Sequence, residues 1–253
     1  MKIVQNLKKA RTQQSKKKRP NVTKPDFDDL ETSLIHTIDG LFEHSNGKVW
    51  KQSDSFAPSN SNQCPRYAVY RLRGFEQNIT FSGQTRRIFD FGNRVEDMMK
   101  DIFENLGIMI DDQVEIRLTD PVPIHGFIDF IVDWDGRKVV ECKSINEAGM
   151  IWRRNSHKPT DAHYRQIQFY LHAVDIDEGF VFYVGKNDSS LLPILTKKNN
   201  EFIEKTLKKY DKIYKVFLKG DIPLRPYKKD SQNCQRCDAL EWCWADNEIG
   251  VKL

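Results

Sequence analysis

No apolar run in this sequence approaches the roughly 18 residues that cross a bilayer, and no secretory leader opens it. The first twenty residues, MKIVQNLKKARTQQSKKKRP, contain neither an apolar stretch nor a small-residue cleavage site. Both absences point away from membranes and toward a reducing cytoplasm, the host's if the source is viral. Cysteine is sparse, five residues in 253, and in such a compartment disulfides are not expected. A Gly-x-x-x-x-Gly-Lys-Ser/Thr loop is missing, which excludes the usual cradle for a nucleoside triphosphate. Internal repeats are missing too, so a solenoid is excluded.

What is present is a balance of 39% hydrophobic and 30% charged residues, that of a soluble chain with one good-sized core. The net charge of +4 hides an asymmetry. Residues 1–20 hold Lys2, Lys8, Lys9, Arg11, Lys16, Lys17, Lys18 and Arg19 and no acid, which is +8, so the 233 residues after them carry −4. So polar a segment buries too little to offset its ordering entropy; it is expected to be disordered when free and to attract phosphate. A solubilising tail is the competing reading. The expected organisation is a basic tail over 1–26 and one folded domain over 27–253.

Apolar spacing predicts a helix over 27–42 that buries Leu30, Leu34, Ile35, Ile38 and Leu41, ended by Gly40 and the polar run 44–47. Residues 51–63 read as a loop, and 64–73 as a short helix with Pro65 in its first turn. A longer helix is expected over 86–106, burying Ile88, Val95, Met98, Met99, Ile102, Phe103 and Leu106. Strands are expected over 114–118, 126–133, 138–144 and 179–184, and helices over 162–174 and through Phe202, Leu207, Ile213, Tyr214 and Phe217. This order is α/β, a mixed central sheet flanked by helices. The end, 234–253, is rich in Cys and Trp and too short to fold without a staple.

The most informative stretch is HGFIDFIVDWDGRKVVECK, residues 125–143, two strands meeting at a turn. A one-residue slip in register moves a whole strand to the opposite face. A two-residue Asp-Gly loop would set Asp129 across from Cys142 and bury Glu141 and Lys143 beside Ile128, Phe130 and Val132. A three-residue loop, Trp134 to Gly136, closes Asp133 against Arg137 with Gly136 in the left-handed position, and pairs Asp129 with Glu141. Ile128, Phe130, Val132, Val140 and Cys142 then form an apolar face, and Asp129, Glu141 and Lys143 converge on the other. Two close carboxylates raise one another's pKa and favour a divalent cation between them; magnesium or manganese suits all-oxygen ligands. The cation would polarise a phosphoryl oxygen, and Lys143 would offset developing charge. An isolated Glu-x-Lys is more often a surface ion pair.

Two further motifs keep the hairpin company. In Gly92-Asn-Arg-Val-Glu96, Glu96 shares a helical side with Met99 and Phe103 and so faces inward. In Gln166-Ile-Gln-Phe-Tyr170, Gln166 and Tyr170 share one face at i and i+4, where an amide and a phenol hold a DNA backbone or cap the core. Cys234, Cys237 and Cys243 give three thiolates within ten residues, a spacing suited to one metal centre and on its own slightly favouring zinc. Cys64 is the natural fourth ligand, because the hairpin register turns Cys142 into an apolar face.

The ordered series Gly-x-x-x-Glu, Gly-Phe-Ile-Asp, Glu-Cys-Lys and Gln-x-x-x-Tyr resembles the RecB-like branch of the PD-(D/E)XK nuclease superfamily over roughly 64–243. The resemblance implies a restriction-endonuclease-like nuclease core. It also implies that Asp129, Glu141 and the Cys142 carbonyl bind metal, that Lys143 is the catalytic lysine, and that Gln166 and Tyr170 contact DNA. Glu96 stands where many members of that branch have histidine, as a further metal ligand. One cysteine before the core and three after it, within 234–243, is similar to the iron–sulfur nucleases of the AddB type and the CRISPR-associated single-strand exonucleases, which implies a structural 4Fe–4S cluster on Cys64, Cys234, Cys237 and Cys243. The function expected is a DNA exonuclease acting on single strands or ends in recombination, repair or replication, with a helicase or recombination protein as partner. A structure-selective endonuclease and an inactive nucleic-acid-binding protein on the same fold are the alternatives.

Overall fold

The computed structural model describes residues 30–60, 64–245, 247 and 249–253. The basic tail and the first three residues of the helix expected over 27–42 lie outside the described residues. In chain order the elements are α1 (Leu30–Phe42), β1 (His44–Lys51), a 3-10 turn (Pro58–Asn60), α2 (Pro65–Arg73), β2 (Phe75–Phe81) and α3 (Gly83–Asn105). Then come β3 (Met109–Leu118), β4 (Ile124–Asp133), β5 (Arg137–Ile145), α4 (Glu147–Ser156), α5 (Asp161–Ala173), β6 (Glu178–Gly185), β7 (Leu191–Lys197) and α6 (Asn200–Leu218). Two short helices, α7 (Gln232–Gln235) and α8 (Leu240–Ala245), finish the chain. No helix among the described residues is long and apolar enough to cross a membrane.

β1 and β2 form an antiparallel ribbon of their own. The remaining strands make one sheet in the order β3-β4-β5-β6-β7, in which β5 and β6 run parallel and every other pair antiparallel. The parallel pair requires a crossover, and α4 and α5 supply it.

Each face of the sheet is covered by one helix. Val95, Met99 and Phe103 of α3, spaced four apart, pack on Phe130, Val132, Val140, Cys142 and Val184. On the opposite face, Ile167, Tyr170 and Leu171 of α5 pack on Ile128, Val139, Val181 and Tyr183. Burial of each such side chain contributes about 2 kcal/mol. A third cluster joins α2, α6 and the C-terminal segment. There Arg66, fully buried, donates to the Pro223 carbonyl at 2.8 Å.

The helices begin where side chains cap them. Ser82 accepts from the Thr85 N–H at the start of α3, Asn146 from Gly149 at α4, Thr160 from His163 at α5, and Asn199 from Phe202 at α6. Cys64 precedes Pro65 at the first position of α2, as expected. That helix stops at Gly74, whose φ of 83° and whose contact with the Trp50 ring leave no room for a Cβ.

Several expectations need correction. The apolar stripe of α1 is exposed, Leu30 to 80% and Leu34 to 61%, and its one buried residue is Ser33. Periodicity says which residues share a face and not whether anything covers it. On α3, Ile88, Met98 and Leu106 are exposed for the same reason, and the helix starts three residues earlier than expected. The polar run 44–47 follows the end of α1, as expected, and opens a strand that was not expected, its ladder supplied by β2. β7 is an edge strand that buries only Ile194 and Thr196, and α4 buries only Met150, so neither carries a periodic apolar signal.

Candidate active site

The hairpin of β4 and β5 has the three-residue register. Asp133 pairs with Arg137, Val132 with Lys138, Ile131 with Val139 and Phe130 with Val140. Gly136 takes φ 86° in the turn, with Asp135 also left-handed at 53°. Cys142 lies in the apolar face, 2% exposed.

One face assignment is wrong. Ile128 belongs with Val139 on the α5 side, not with Phe130 and Val132 on the α3 side. The strand changes face between them: the β3–β4 ladder pairs Asp112 with Phe130 and Val114 with Ile128 but skips the intervening Gln113 and Asp129, and Gln113 has φ 50°. At this break Ile128, Asp129 and Phe130 are all buried, and the Asp129 carboxylate turns toward β5. Its Oδ2 accepts the main-chain N–H of Cys142 at 2.8 Å.

Glu141 and Lys143 therefore do not face an open surface; they share the α5 side with Val139, Val181 and Tyr183. Glu141 is fully buried. Lys143 Nζ is ion-paired with its Oε1 and stands 3.9 Å from Asp129 Oδ2. The other oxygen, Oε2, has no hydrogen-bond partner among the described residues. Burial first, then the negative charge of Asp129, pushes the Glu141 carboxyl up to about 8. Burial raises Asp129 too, with Lys143 pulling the other way. For Lys143 burial opposes the charge, but Glu141 and Asp129 outweigh it and hold the ammonium protonated.

Glu96, half-buried on α3, completes the group from the other side. Burial and then Asp129 raise its pKa, and Lys143 lowers it, so it stands within the field of both. Gly92, one turn earlier on the same face, has no heavy atom within 4 Å of where a Cβ would stand, which leaves the approach to Glu96 bare. On α5, Gln166 donates from Nε2 to the Tyr170 hydroxyl at 3.0 Å, and both residues are buried. The negative charges of Glu141 and Asp129 add to burial in raising the Tyr170 pKa, which puts this phenol beside the carboxylates. Gly126 lets the chain close here, since a Cβ would stand 2.9 Å from Pro58 and 3.5 Å from the Tyr170 ring.

Among the described residues no group of three or more His, Cys, Asp or Glu side chains stands so placed that it could hold a metal ion. The donor set nonetheless fits a hard divalent cation, because Asp129 and Glu141 repel one another and the buried Glu141 Oε2 lacks a partner.

The sequence matches the PD-(D/E)XK nuclease superfamily over residues 104–244, more than half of the chain. It belongs to that superfamily. The match spans Asp129, Glu141, Lys143, Gln166 and Tyr170 together with Cys234, Cys237 and Cys243. Among solved structures the fold is similar to an alkaline exonuclease, LHK-Exo, from Laribacter hongkongensis, at 11% identity and a TM-score of 0.52, over 66% of this chain and 89% of that one. The complex of LHK-Exo with dAMP aligns at 13% identity and a TM-score of 0.47, over 66% and 89% of the two chains. A phage-related exonuclease from Haemophilus somnus 129PT aligns at 10% identity and 0.38, over 72% and 99%. At such identity the likeness is one of fold. No curated protein matches the sequence.

Within this PD-(D/E)XK core the structure adds residues that sequence reading missed. Tyr183 lies beside Lys143 across the parallel pair, and its hydroxyl stands 2.8 Å from Nδ1 of His163. The available signal was His163 itself, one turn before Gln166 on the same helix.

Four of the five cysteines lie by the cluster that joins α2, α6 and the C-terminal segment. Cys64, Cys234, Cys237 and Cys243 line one pocket with Arg66, Tyr70, Arg225 and Trp244. Arg225 donates to the Cys243 carbonyl at 3.0 Å. Burial raises the Cys64 thiol and pushes Cys237 up to about 11.

Proposed function

We propose that this PD-(D/E)XK chain is a magnesium- or manganese-dependent deoxyribonuclease, working as an exonuclease on single strands or free DNA ends in recombination, repair or replication. The observation that carries it is Glu141, a fully buried carboxylate with an unpartnered oxygen, set against Asp129 and the lysine that neutralises them both. Asp129, Glu141 and the Cys142 carbonyl hold the cation in this reading, with Glu96 as a further carboxylate. Bound there, the cation supplies Lewis-acid chemistry to the phosphodiester. Lys143, kept charged by its neighbours, offsets the negative charge that develops on the phosphoryl oxygens. Asp129 is oriented by the Cys142 N–H. Gln166 and Tyr170 orient the strand from the α5 side. The exonuclease reading draws on the name of LHK-Exo, an alkaline exonuclease of similar fold; strand separation falls to a helicase or recombination partner.

The reading takes residues 27–253 as one nuclease domain preceded by a basic tail over 1–26. Cys64, Cys234, Cys237 and Cys243 hold a 4Fe–4S cluster that clasps the two ends of this domain, zinc being the alternative occupant. Supporting it are the shared pocket and the two arginines on its wall, one of them wholly buried, since a cation out of water favours an anionic neighbour.

The test is a magnesium and manganese titration on end-labelled single- and double-stranded DNA, with circular single strands alongside. Release of label as mononucleotides or short oligonucleotides, with circles left intact, is the expected result. Cleaved circles make the enzyme an endonuclease, and binding without cleavage at any metal concentration overturns the nuclease reading.

A further inference from the structure

Lys143 has a neighbour whose hydrogen bonding is more constrained than a packing residue needs. Tyr183, its register partner on β6, is fully buried. The Tyr183 hydroxyl accepts the main-chain N–H of Thr160 at 3.1 Å. Its own proton has two acceptors within reach, His163 Nδ1 at 2.8 Å and the Thr160 side-chain hydroxyl. Thr160 also caps α5 by accepting the His163 N–H at 3.2 Å, so the backbone and the ring of His163 are pinned by the same pair.

A neutral imidazole carries one N–H. When Tyr183 donates to Nδ1, the shorter of its contacts, that N–H is on Nε2. Burial, with the positive charges of Lys143 and Arg153 behind it, keeps the ring neutral, its pKa brought down to about 4. Nε2 has no hydrogen-bond partner among the described residues, and it is not one of the buried polar atoms left without one, so it reaches solvent. In that tautomer Nε2–H is a donor with access to solvent, in a field set by two cations. Such a donor suits an anionic oxygen acceptor.

We propose that His163 binds a non-bridging phosphate oxygen of the DNA strand through Nε2–H, and that Tyr183 is the positioning residue that sets its tautomer. This deepens the nuclease reading and rests on it for the identity of the anion. Neutrality matters to the design: a donor without charge holds the strand without competing with Lys143 for the carboxylates.

The test compares His163→Ala, His163→Gln, His163→Asn and Tyr183→Phe with the full wild-type chain. DNA affinity is read by fluorescence anisotropy without divalent metal, and KM and kcat with magnesium. His163→Ala is expected to weaken affinity and raise KM by about tenfold. His163→Gln, whose amide N–H reaches about as far as Nε2, should restore most of that, and His163→Asn should not. Tyr183→Phe should weaken affinity less while shifting the His163 ring 15N signals away from a single tautomer. Replacing phosphates one at a time by methylphosphonate should find a single position at which wild type and His163→Ala bind equally.

Unchanged affinity in His163→Ala, or failure of His163→Gln to rescue it, overturns the contact while leaving the nuclease reading standing. If His163→Ala does not fold, the methylphosphonate series with His163→Gln and His163→Asn decides on the same criteria. A wild type that cleaves nothing, in which His163→Ala still weakens binding, keeps the contact and overturns the nuclease reading instead.

Discussion

The main-chain N–H of Cys142 donates to Oδ2 of Asp129 at 2.8 Å, just past the point where the ladder between β4 and β5 ends at Phe130 and Val140. The hydrogen bond replaces the missing rung and holds the carboxylate in place while a charge stands 3.9 Å away on Lys143. Position and charge can therefore be separated by mutation. Asp129→Asn keeps an oxygen able to accept from Cys142 and removes the charge. We expect Asp129→Asn, Glu141→Gln and Lys143→Met each to lower kcat by at least roughly 10²-fold, the scale of one lost electrostatic stabiliser, with DNA affinity and fold retained. A time course on end-labelled DNA at saturating metal checks this, and near-wild-type cleavage by a variant removes that residue from the site.

The metal-free protein should lose stability as pH rises from 6.5 to 8. The Glu141 pKa is raised in the fold, from 4.5 to about 8, so the folded state binds the extra proton across that range and stability falls as the pH climbs through it. His163 works in the opposite sense, lowered from 6.5 to about 4, so its contribution rises with pH up to 6.5 and is level above. The net decline is confined to the upper window, at no more than about 1.4 kcal/mol per pH unit per proton. Melting in EDTA at stepped pH measures it, and magnesium or manganese should flatten the slope by favouring the charged carboxylates. A slope of the opposite sign in EDTA would refute the assignment.

Single serine substitutions at Cys64, Cys234, Cys237 and Cys243 should each release iron and acid-labile sulfide from anaerobically purified protein. Cys142→Ser should keep both. Cys142 is buried among apolar side chains, so its replacement by a hydroxyl costs about 1–3 kcal/mol of stability without touching the proposed cluster. Iron, sulfide and zinc assays with a thermal melt separate the cases; stoichiometric zinc without sulfide would replace the cluster by zinc.

Deleting residues 1–20 removes eight positive charges, each able to neutralise a phosphate and release a counterion. We expect weaker DNA binding with a shallower salt dependence and an unchanged cleavage rate at saturating DNA. Equal salt slopes before and after deletion would reduce the tail to a solubility device.

Much of the site was legible because a hairpin fixes its own register locally. The choice between a two- and a three-residue turn turned on which residues would be buried; the three-residue register holds, although Glu141 is buried on the side of Ile128 all the same. Burial of Glu141 was not legible: the strand pattern placed it opposite the apolar face, but its cover comes from α5, which follows in sequence and packs back across the sheet. The reversal at Asp129 was hidden for a related reason, because it depends on Gln113 of a neighbouring strand. His163 was passed over as an ordinary helix residue, its meaning resting on Tyr183, twenty positions away in the next element. The exposed stripe of α1 is the converse case, a local pattern with no cover among the described residues.

The single parallel pair in the sheet also bears on how the protein folds. β4 and β5 meet through a three-residue turn, and closing so short a loop costs little entropy. β6 reaches β5 only after α4 and α5 have been laid across the sheet, a long closure of the kind that slows folding. The carboxylate pair should thus form early, and Tyr183, with the imidazole it orients, should arrive late. Pulse-labelled hydrogen exchange during refolding should protect the amides of Val132 and Val140 before that of Tyr183. Destabilising the crossover would then yield a protein that still gathers its acidic residues but cannot yet orient His163.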